Sequence, residues 1–473
     1  MCRVAACVAA AGIRLVIVQL KIIFSLIKYL QTMTDFTRNG LLGRLFAAAL
    51  LVGGVNCASA QSINVISNMT GEDGVGYQPV VQTISPNHRY VAGPAYSMAT
   101  GAMGMFVYDT ETGEYAVAPA NEEIYGADIR AVNNDGVCVG YNDDAVLYSI
   151  SGEAKYIEPE EDGDINQARD ASDDLSVVVG CHYPETSFFT KACVWVNDKR
   201  IDLPVPSDEE LGFETNGSVA YYTNSDGSVI AGYVVDNFSA NPLVVWRLQD
   251  DGTYKCDPIC VDYFSEYGDV EGRPYIMFSP QRLSRNGRYV SLNLMKGGDD
   301  FTEQYIGRYD LETGELEEYR ADGTGDIAAG AEMQATGIAD NGAMLGFALS
   351  GSWVSQQRSA IIWYKGKAAQ KLSNVCPEVT EIAEYDALGF NTAIDITPDG
   401  RYVAGFANDA KYNYIGCVID LGVSSGISNV TTGDENAVEV ARYALDGTLL
   451  SAPTKGVNIV KMSDGTTKKV VVK

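Results

Sequence analysis

The chain has 473 residues, a formal net charge of −28 and only two histidines. That length exceeds one ordinary core unless the chain repeats, such an acidic surface repels nucleic acid and anionic lipid, and two histidines leave little room for a His-based triad or a His-rich metal site. The first 60 residues hold six Lys/Arg and one Asp, so the remainder carries −33, a solvated surface suited to an exported protein.

In chain order, "GIRLVIVQLKIIFSLIKYL" comes first. It is apolar, but Arg14, Lys21 and Lys28 interrupt it every seven residues. A Lys near a membrane centre costs about 2.5–3.5 kcal/mol, which disfavours a clean span. The simplest reading starts translation at Met33; the alternative is a membrane-surface helix. From Met33, Arg38 and Arg44 precede an apolar run from Leu45 to Val55 and an Ala58-Ser59-Ala60 site, which predicts a signal peptide cleaved after Ala60. Cys57 follows Val55-Asn56, unlike a lipobox. The expected organisation is 1–60 extension plus signal peptide, 61–423 repeat domain, 424–436 linker and 437–473 C-terminal β-domain, with no transmembrane span in the mature protein.

Short runs of Val, Ile and Tyr then alternate with Gly, Asn and Asp, which predicts an all-β fold. Seven near-copies of one hairpin follow: "QTISPNHRYVAG" (Gln82–Gly93), "RAVNNDGVCVG" (Arg130–Gly140), "RDASDDLSVVVG" (Arg169–Gly180), "YYTNSDGSVIAG" (Tyr221–Gly232), "QRLSRNGRYVSL" (Gln281–Leu292), "TGIADNGAMLG" (Thr336–Gly346) and "IDITPDGRYVAG" (Ile394–Gly405). Their turns lie 39 to 60 positions apart, in the range of propeller blades. Asp-Gly or Asn-Gly fills five turns and tolerates the positive φ of a tight hairpin; His88 and Leu175 stand where the others have Gly. A third strand ("GMFVYD", "AVLYSI", "ACVWV", "LVVWR", "YIGRYD", "AIIWY", "CVIDL") and a fourth follow, giving seven four-stranded blades. Such units bury their faces only by closing a ring. The seventh lacks a fourth strand, and "SINVIS" (Ser62–Ser67) is expected to supply it.

Trp195, Trp246 and Trp363 share one third-strand position, which predicts blade-to-blade packing rather than ligand stacking. Seven cysteines remain after residue 60, an odd number. Cys193 and Cys417 read as core residues, while Cys256 and Cys260 in "CDPIC" are either a loop disulfide or free thiols. His182 reads as a surface residue beyond a strand end. "DGDIN" (Asp162–Asn166) is similar to a Ca²⁺ loop, but Gln167 stands where the Gly is needed, so a solvated acidic loop is expected.

These blades, with their "S-P-D-G"-like first turns, resemble TolB-like and related secreted seven-bladed propellers over residues 62–423. That resemblance implies a fold and selects no function. After the polar linker, "AVEVARYALDGTLLSAPTKGVNIVKMSDGTTKKVVVK" reads as four short strands with turns at Asp446-Gly447, Lys455-Gly456 and Asp464-Gly465, closing on Lys468, Lys469 and Lys473. It resembles the type A C-terminal sorting domain of type IX secretion cargo. The resemblance implies recognition by the outer-membrane secretion machinery, cell-surface or extracellular delivery, and removal of the domain in transit. Against it stands a small accessory β-domain.

The tight turns fall on one face and the long connections on the other, where sites usually sit. On that long-loop face a ring of Gln82, Arg130, Arg169, Tyr221, Gln281, Thr336 and Ile394 is expected at the top of the innermost strands. Arg130 and Arg169 on neighbouring blades suit an acidic sugar; the alternative is interblade pairing with Asp170 or Asp395. Upper-loop aromatics Phe188, Phe189, Phe238, Phe301, Trp353, Tyr412 and Tyr414 either stack on sugars or pack on neighbouring blades. Ligand-binding candidates are therefore Arg130, Arg169, Tyr221, Gln281 and Trp353. No catalytic residue, metal ligand or cofactor motif is present. The expected function is an exported propeller binding a glycan or protein ligand; the alternatives are a glycan hydrolase or lyase and a purely structural surface protein.

Overall fold

The computed structural model describes residues 62–472 apart from 120–127, 143, 158–163, 186, 188, 212–213, 237–242, 260–274, 297–303, 324–325, 351–356, 377–391, 409–412, 423–438, 445–449, 451, 455 and 463–466. Expectations for the signal peptide, Met33 and cleavage at Ala60 fall outside them.

The repeat folds as seven antiparallel blades. Their innermost strands are Gly76–Pro79 with Thr83–Ile84, then Asp128–Val132, Ile165–Ala171, Thr215–Thr223, Tyr275–Leu283, Met333–Ile338 and Thr392–Ile396. Blade seven has three strands from its own repeat, and Ser62–Ile66 pairs with Tyr414–Asp420 from Ser62↔Asp420 to Ile66↔Gly416. The expected closing strand is therefore in place and joins the two ends of the ring. Blade one also carries a short extra strand, Met69–Thr70.

Each repeated letter answers a local need. At the turn, Gly136, Gly227, Gly287, Gly342 and Gly400 have φ of 73–78°, and His88 and Leu175 adopt φ 60° in the same place without glycine's freedom. His88 lies flat on Tyr402 of blade seven, ring centroids 3.9 Å apart. The Ser, Thr or Asn that opens the turn accepts the amide at the start of the second strand: Tyr90 N to Ser85 Oγ is 2.9 Å, Val137 N to Asn133 Oδ1 2.9 Å and Tyr402 N to Thr397 Oγ1 3.0 Å. In the three "RY" copies the arginine lies over the following tyrosine and pairs with the Asp that ends the third strand. These pairs are Arg89–Asp109 at 2.7 Å, Arg288–Asp310 at 2.8 Å and Arg401–Asp420 at 2.7 Å.

The closing Gly has a different cause. Opposite it the inner strand carries a β-bulge, as between Ile129 and Ala131, Ala168 and Asp170, or Ala220 and Tyr222. A Cβ on Gly93, Gly140, Gly180, Gly232 or Gly346 would stand 2.0–2.2 Å from an inner-strand carbonyl oxygen. Only glycine admits so close an approach.

The cores lie between blades. Trp195 packs with Val139 and Ala145 of blade two, Trp246 with Val179 and Val194 of blade three, and Trp363 with Ile306 of blade five. All three tryptophans are buried, as are Cys193 and Cys417. Cys256 is a free thiol, pushed up to about 12 by burial; Cys260 falls outside the described residues.

The C-terminal segment forms a separate sheet of three strands, Glu439–Ala444, Gly456–Met462 and Thr467–Val472, where four were expected. Leu450 N donates to Arg442 O at 2.7 Å, and the rest of the expected fourth strand lies outside the described residues. Gly456 opens the middle strand, and Lys468 and Lys469 sit on the last, opposite Val460 and Ile459. Gly447 and Lys473 lie outside the described residues.

Candidate functional site

Arg130, Arg169, Tyr221, Gln281, Thr336 and Ile394 are the bulged residues of their strands. A bulge leaves its residue unpaired and re-aims its side chain. The bulges lie close to the turn end: Tyr221 is two residues from the end of Thr215–Thr223, and Arg169 two from the end of Ile165–Ala171. The ring is thus deep in the channel, not at the top of the inner strands.

On its upper side, Asp128 gathers both arginines. Arg130 Nε donates to Asp128 Oδ2 at 3.0 Å, and Arg169 Nη1 donates to the same oxygen at 3.0 Å. Arg169 Nη2 donates to Gln167 at 2.8 Å, and its guanidinium lies 4.8 Å from the Tyr141 ring and 5.0 Å from the Tyr221 ring. Tyr221 stacks in turn on Tyr233 at 5.3 Å. Arg169 is 9% exposed, and its Nε–H has no partner. Arg130 is more open, with a side chain 35% exposed. Burial works against charge on Arg169, but neighbouring groups, the Asp128 carboxylate among them, outweigh it and hold the guanidinium protonated. Burial likewise pushes Tyr141 and Tyr233 up, so both phenols remain hydrogen-bond donors.

The expected interblade pairing is therefore present with a different acid. Asp170 and Asp395 serve two other arginines, both from blade five. Arg282 Nη2 is 3.1 Å from Asp395 Oδ2, and its Nη1 crosses to the Arg130 carbonyl at 3.0 Å. Arg285 pairs with Asp173 and donates to the carbonyls of Thr223 and Ala171, each at 3.0 Å. Burial raises the Asp170 carboxyl against the pull of Arg285 and Arg282. Asp395 also accepts Thr83 Oγ1 at 3.1 Å and Ile84 N at 3.2 Å. These groups enclose a cavity of about 50 Å³, room for a few waters and not for a sugar ring.

The other candidates divide. Gln281 is satisfied within its own strand, donating to Ser279 Oγ at 2.8 Å, and Thr336 donates to the Ala393 carbonyl at 2.6 Å. Tyr414 packs edge-on against Tyr96 and Phe406, whereas Phe189 is 50% exposed. Trp353, Phe188, Phe238, Phe301 and Tyr412 fall outside the described residues. His182 is not a surface residue: it lies within the strand Val177–Tyr183 and is 2% exposed. The strand runs past the expected hairpin end and carries it inward. Asp164 of "DGDIN" is also buried, beside His182 Nδ1 at 3.2 Å and Arg200 Nη1 at 3.0 Å; Asp162 lies outside the described residues. Sequence reasoning missed Asp128, Arg282 and Arg285. The available signal was Arg285 itself, a long cation in a turn otherwise built from Asn, Asp, Ser and Pro.

No protein-family model and no curated relative matches the chain. Among solved structures, the chain is similar to oligogalacturonate lyase from Vibrio parahaemolyticus at 12% identity, over 76% of this chain and 97% of that one, with a TM-score of 0.48. The β-propeller domain of the Trilobed protease from Pyrococcus furiosus matches at 12% identity over 66% and 92%, TM-score 0.40. TolB from Acinetobacter baumannii matches at 10% over 76% and 96%, TM-score 0.32. These likenesses assign no substrate, and the propeller stands on its own sheet topology.

Proposed function

We propose that this chain is an exported propeller that captures a carboxylate-bearing ligand, an acidic sugar carried by a glycan or glycoprotein, on the long-loop side of its channel. The observation that carries the reading is the pair Arg130 and Arg169 on one carboxylate. Two guanidinium groups against Asp128 leave one positive charge, with the Arg169 Nε–H unpartnered and the terminal amines of Arg130 unbonded among the described residues. Planar guanidinium suits a carboxylate, and the Tyr141 and Tyr221 rings hold the Arg169 guanidinium in place beside it.

The test uses Arg130→Ala, because that side chain is the more exposed of the two. Loss of acidic-sugar binding on a glycan array with an unchanged melting temperature supports the proposal. Unchanged binding with a large drop in melting temperature makes the arginine a strut and sinks it. A glycan-cleaving reading is weaker. Glycosidases need two carboxyls roughly 5–9.5 Å apart and open to substrate, whereas Asp170 and Asp395 face a cavity of about 50 Å³ and are paired with arginines.

Delivery belongs to the same proposal. The C-terminal segment acts as a type A sorting signal, with Gly447, Gly456, Lys468, Lys469 and Lys473 as the residues it is read through. Truncation after Leu421 then leaves melting unchanged and strands the protein in the periplasm; a truncated chain that still reaches the surface removes this part.

A further inference from the structure

A groove of about 500 Å³ opens off the channel axis between blades three and four, on the long-loop side. Its walls are the loop before the third strand of blade three, the chain leaving that blade's fourth strand, and the first residues of Thr215–Thr223 in blade four. The volume lies within the roughly 300–1,000 Å³ of small-ligand sites. It is ten times that of the cavity among the channel arginines.

The groove has an aromatic platform that does not pack away. Phe189 is 50% exposed, yet the backbone around it is fixed. Its amide donates to Ser187 Oγ at 3.0 Å, and Ser218 N donates to Thr190 O at 2.9 Å. Gly217 lets the loop settle this closely, because a Cβ there would stand 3.0 Å from Thr190 O and 3.4 Å from the Phe189 Cβ. An aromatic ring held half in water exposes apolar surface with no packing gain.

Opposite stands Asp202, half-exposed on its side chain, with a buried row of charge behind it. His182 Nε2 is 3.2 Å from Asp202 Oδ1, without the alignment of a hydrogen bond. The other nitrogen of His182 meets Asp164, which Arg200 also holds at 3.0 Å. Arg200 Nε also lies 3.7 Å from Asp202 Oδ1, so the row sets positive charge behind the one carboxylate at the groove wall. Lys191 lines the same groove and balances that charge. A neutral groove within a chain of net −28 does not attract polyanions, and it has no enclosed apolar bore for a lipid chain.

We infer that this groove binds a neutral saccharide chain, with Phe189 stacking under a pyranose face and Asp202 accepting its hydroxyls. The aromatic face matches the C–H face of a sugar, and a half-exposed carboxylate accepts strong hydrogen bonds from hydroxyl groups. This site is separate from the arginine pair in the channel and does not depend on it.

The test is calorimetric titration of the purified protein with cellohexaose, xylohexaose, mannohexaose and maltohexaose. At least one binds, about tenfold more weakly in Phe189→Ala and in Asp202→Asn. Arg130→Ala binds it as the unchanged protein does, which separates this site from the channel. Melting curves of Phe189→Ala match those of the parent, because the ring is half in water. Binding by none of the four sugars overturns the inference. So does affinity unchanged in both groove variants, or a nonapeptide pool that binds through Phe189 where the sugars do not.

Discussion

Arg282→Met tests whether the channel is a strut as well as a passage. The substitution keeps the length and apolar stem of the side chain and removes the guanidinium. Three interactions go with it: the pair with Asp395 at 3.1 Å, the bond to the Arg130 carbonyl at 3.0 Å and a longer one to the Gln82 carbonyl at 3.5 Å. Together they tie blade five to blades seven, two and one. Breaking a buried pair costs about 3–5 kcal/mol because a bare charge is left behind. Asp395 is not left bare, since Thr83 Oγ1 and the amides of Ile84 and Ile396 still donate to it. The expected loss therefore falls just below that range, about 2–3 kcal/mol. At about 2–4 °C per kcal/mol for a domain of this class, the melting temperature falls by roughly 4–12 °C. Calorimetry and urea titration at neutral pH measure it. Adding Asp395→Asn to Arg282→Met removes the remaining charge and recovers part of the loss. A single variant that melts within a degree of the parent refutes the strut, and with it the idea that the lower channel is closed by this arginine.

Three further outcomes follow from the fold. Deleting Ser62–Ile66 leaves blade seven three-stranded with Tyr414–Asp420 as an open edge, so the protein melts earlier and self-associates as concentration rises in size-exclusion chromatography; a monomer of unchanged melting temperature counts against the closure. Gly180→Ala puts a Cβ 2.0 Å from Gln167 O and costs more than about 3 kcal/mol in urea titration, whereas Gly252→Ala, with φ +82° and open space around it, costs only about 1–2 kcal/mol; equal costs contradict the bulge argument. Asp109, Asp310 and Asp420 titrate below the ordinary carboxylate range: burial pushes each up, but hydrogen bonds from Arg89, Arg288 and Arg401 and from nearby amides outweigh it. A depressed folded value means their stabilisation is complete above the unfolded value, near pH ~3.9, and is lost as pH falls through the folded value. Stability therefore drops in acid below about pH 4, and the Asp109→Asn, Asp310→Asn, Asp420→Asn triple variant shows a flatter urea-midpoint profile there.

The blades were legible because every letter of the repeat satisfies a condition local to its own hairpin. The turn Gly supplies φ, the Ser or Thr caps an amide, Arg-Tyr finds its Asp on the third strand, and the final Gly clears a carbonyl. The closing strand was legible by subtraction, since blade seven lacked a partner for Tyr414–Asp420. The site was legible only in part. Strand alternation assigns one face to every second residue, and a bulge breaks that alternation at the place where the inner strands line the channel. Arg130 and Arg169 could be identified as inward residues, but their shared partner Asp128 could not, because it sits two positions before Arg130 on the same strand. Arg282 and Asp395, each one residue past a bulge, face each other across the ring from the fifth and seventh blades, a pairing that appears only once the ring is closed.

Closure also decides what the channel charges can do. Arg130, Arg169, Arg282 and Arg285 face Asp128, Asp170, Asp173 and Asp395, so the described ion pairs cancel in number. They do not cancel in place. The upper group has two arginines on Asp128, while the lower group has two arginines among Asp170, Asp173 and Asp395. The channel is thus polar along its axis, positive toward the long loops and negative toward the turns. Within a chain of net −28, the upper group is a local positive site among the described channel residues. Arg282 and Arg285 serve Asp395, Asp170 and Asp173, and the pair on Asp128 adds a local positive charge above them. A neutral upper group, made by Arg130→Gln, should leave the ring intact and abolish the axial polarity, which separates the charge used for closure from the charge left for a ligand.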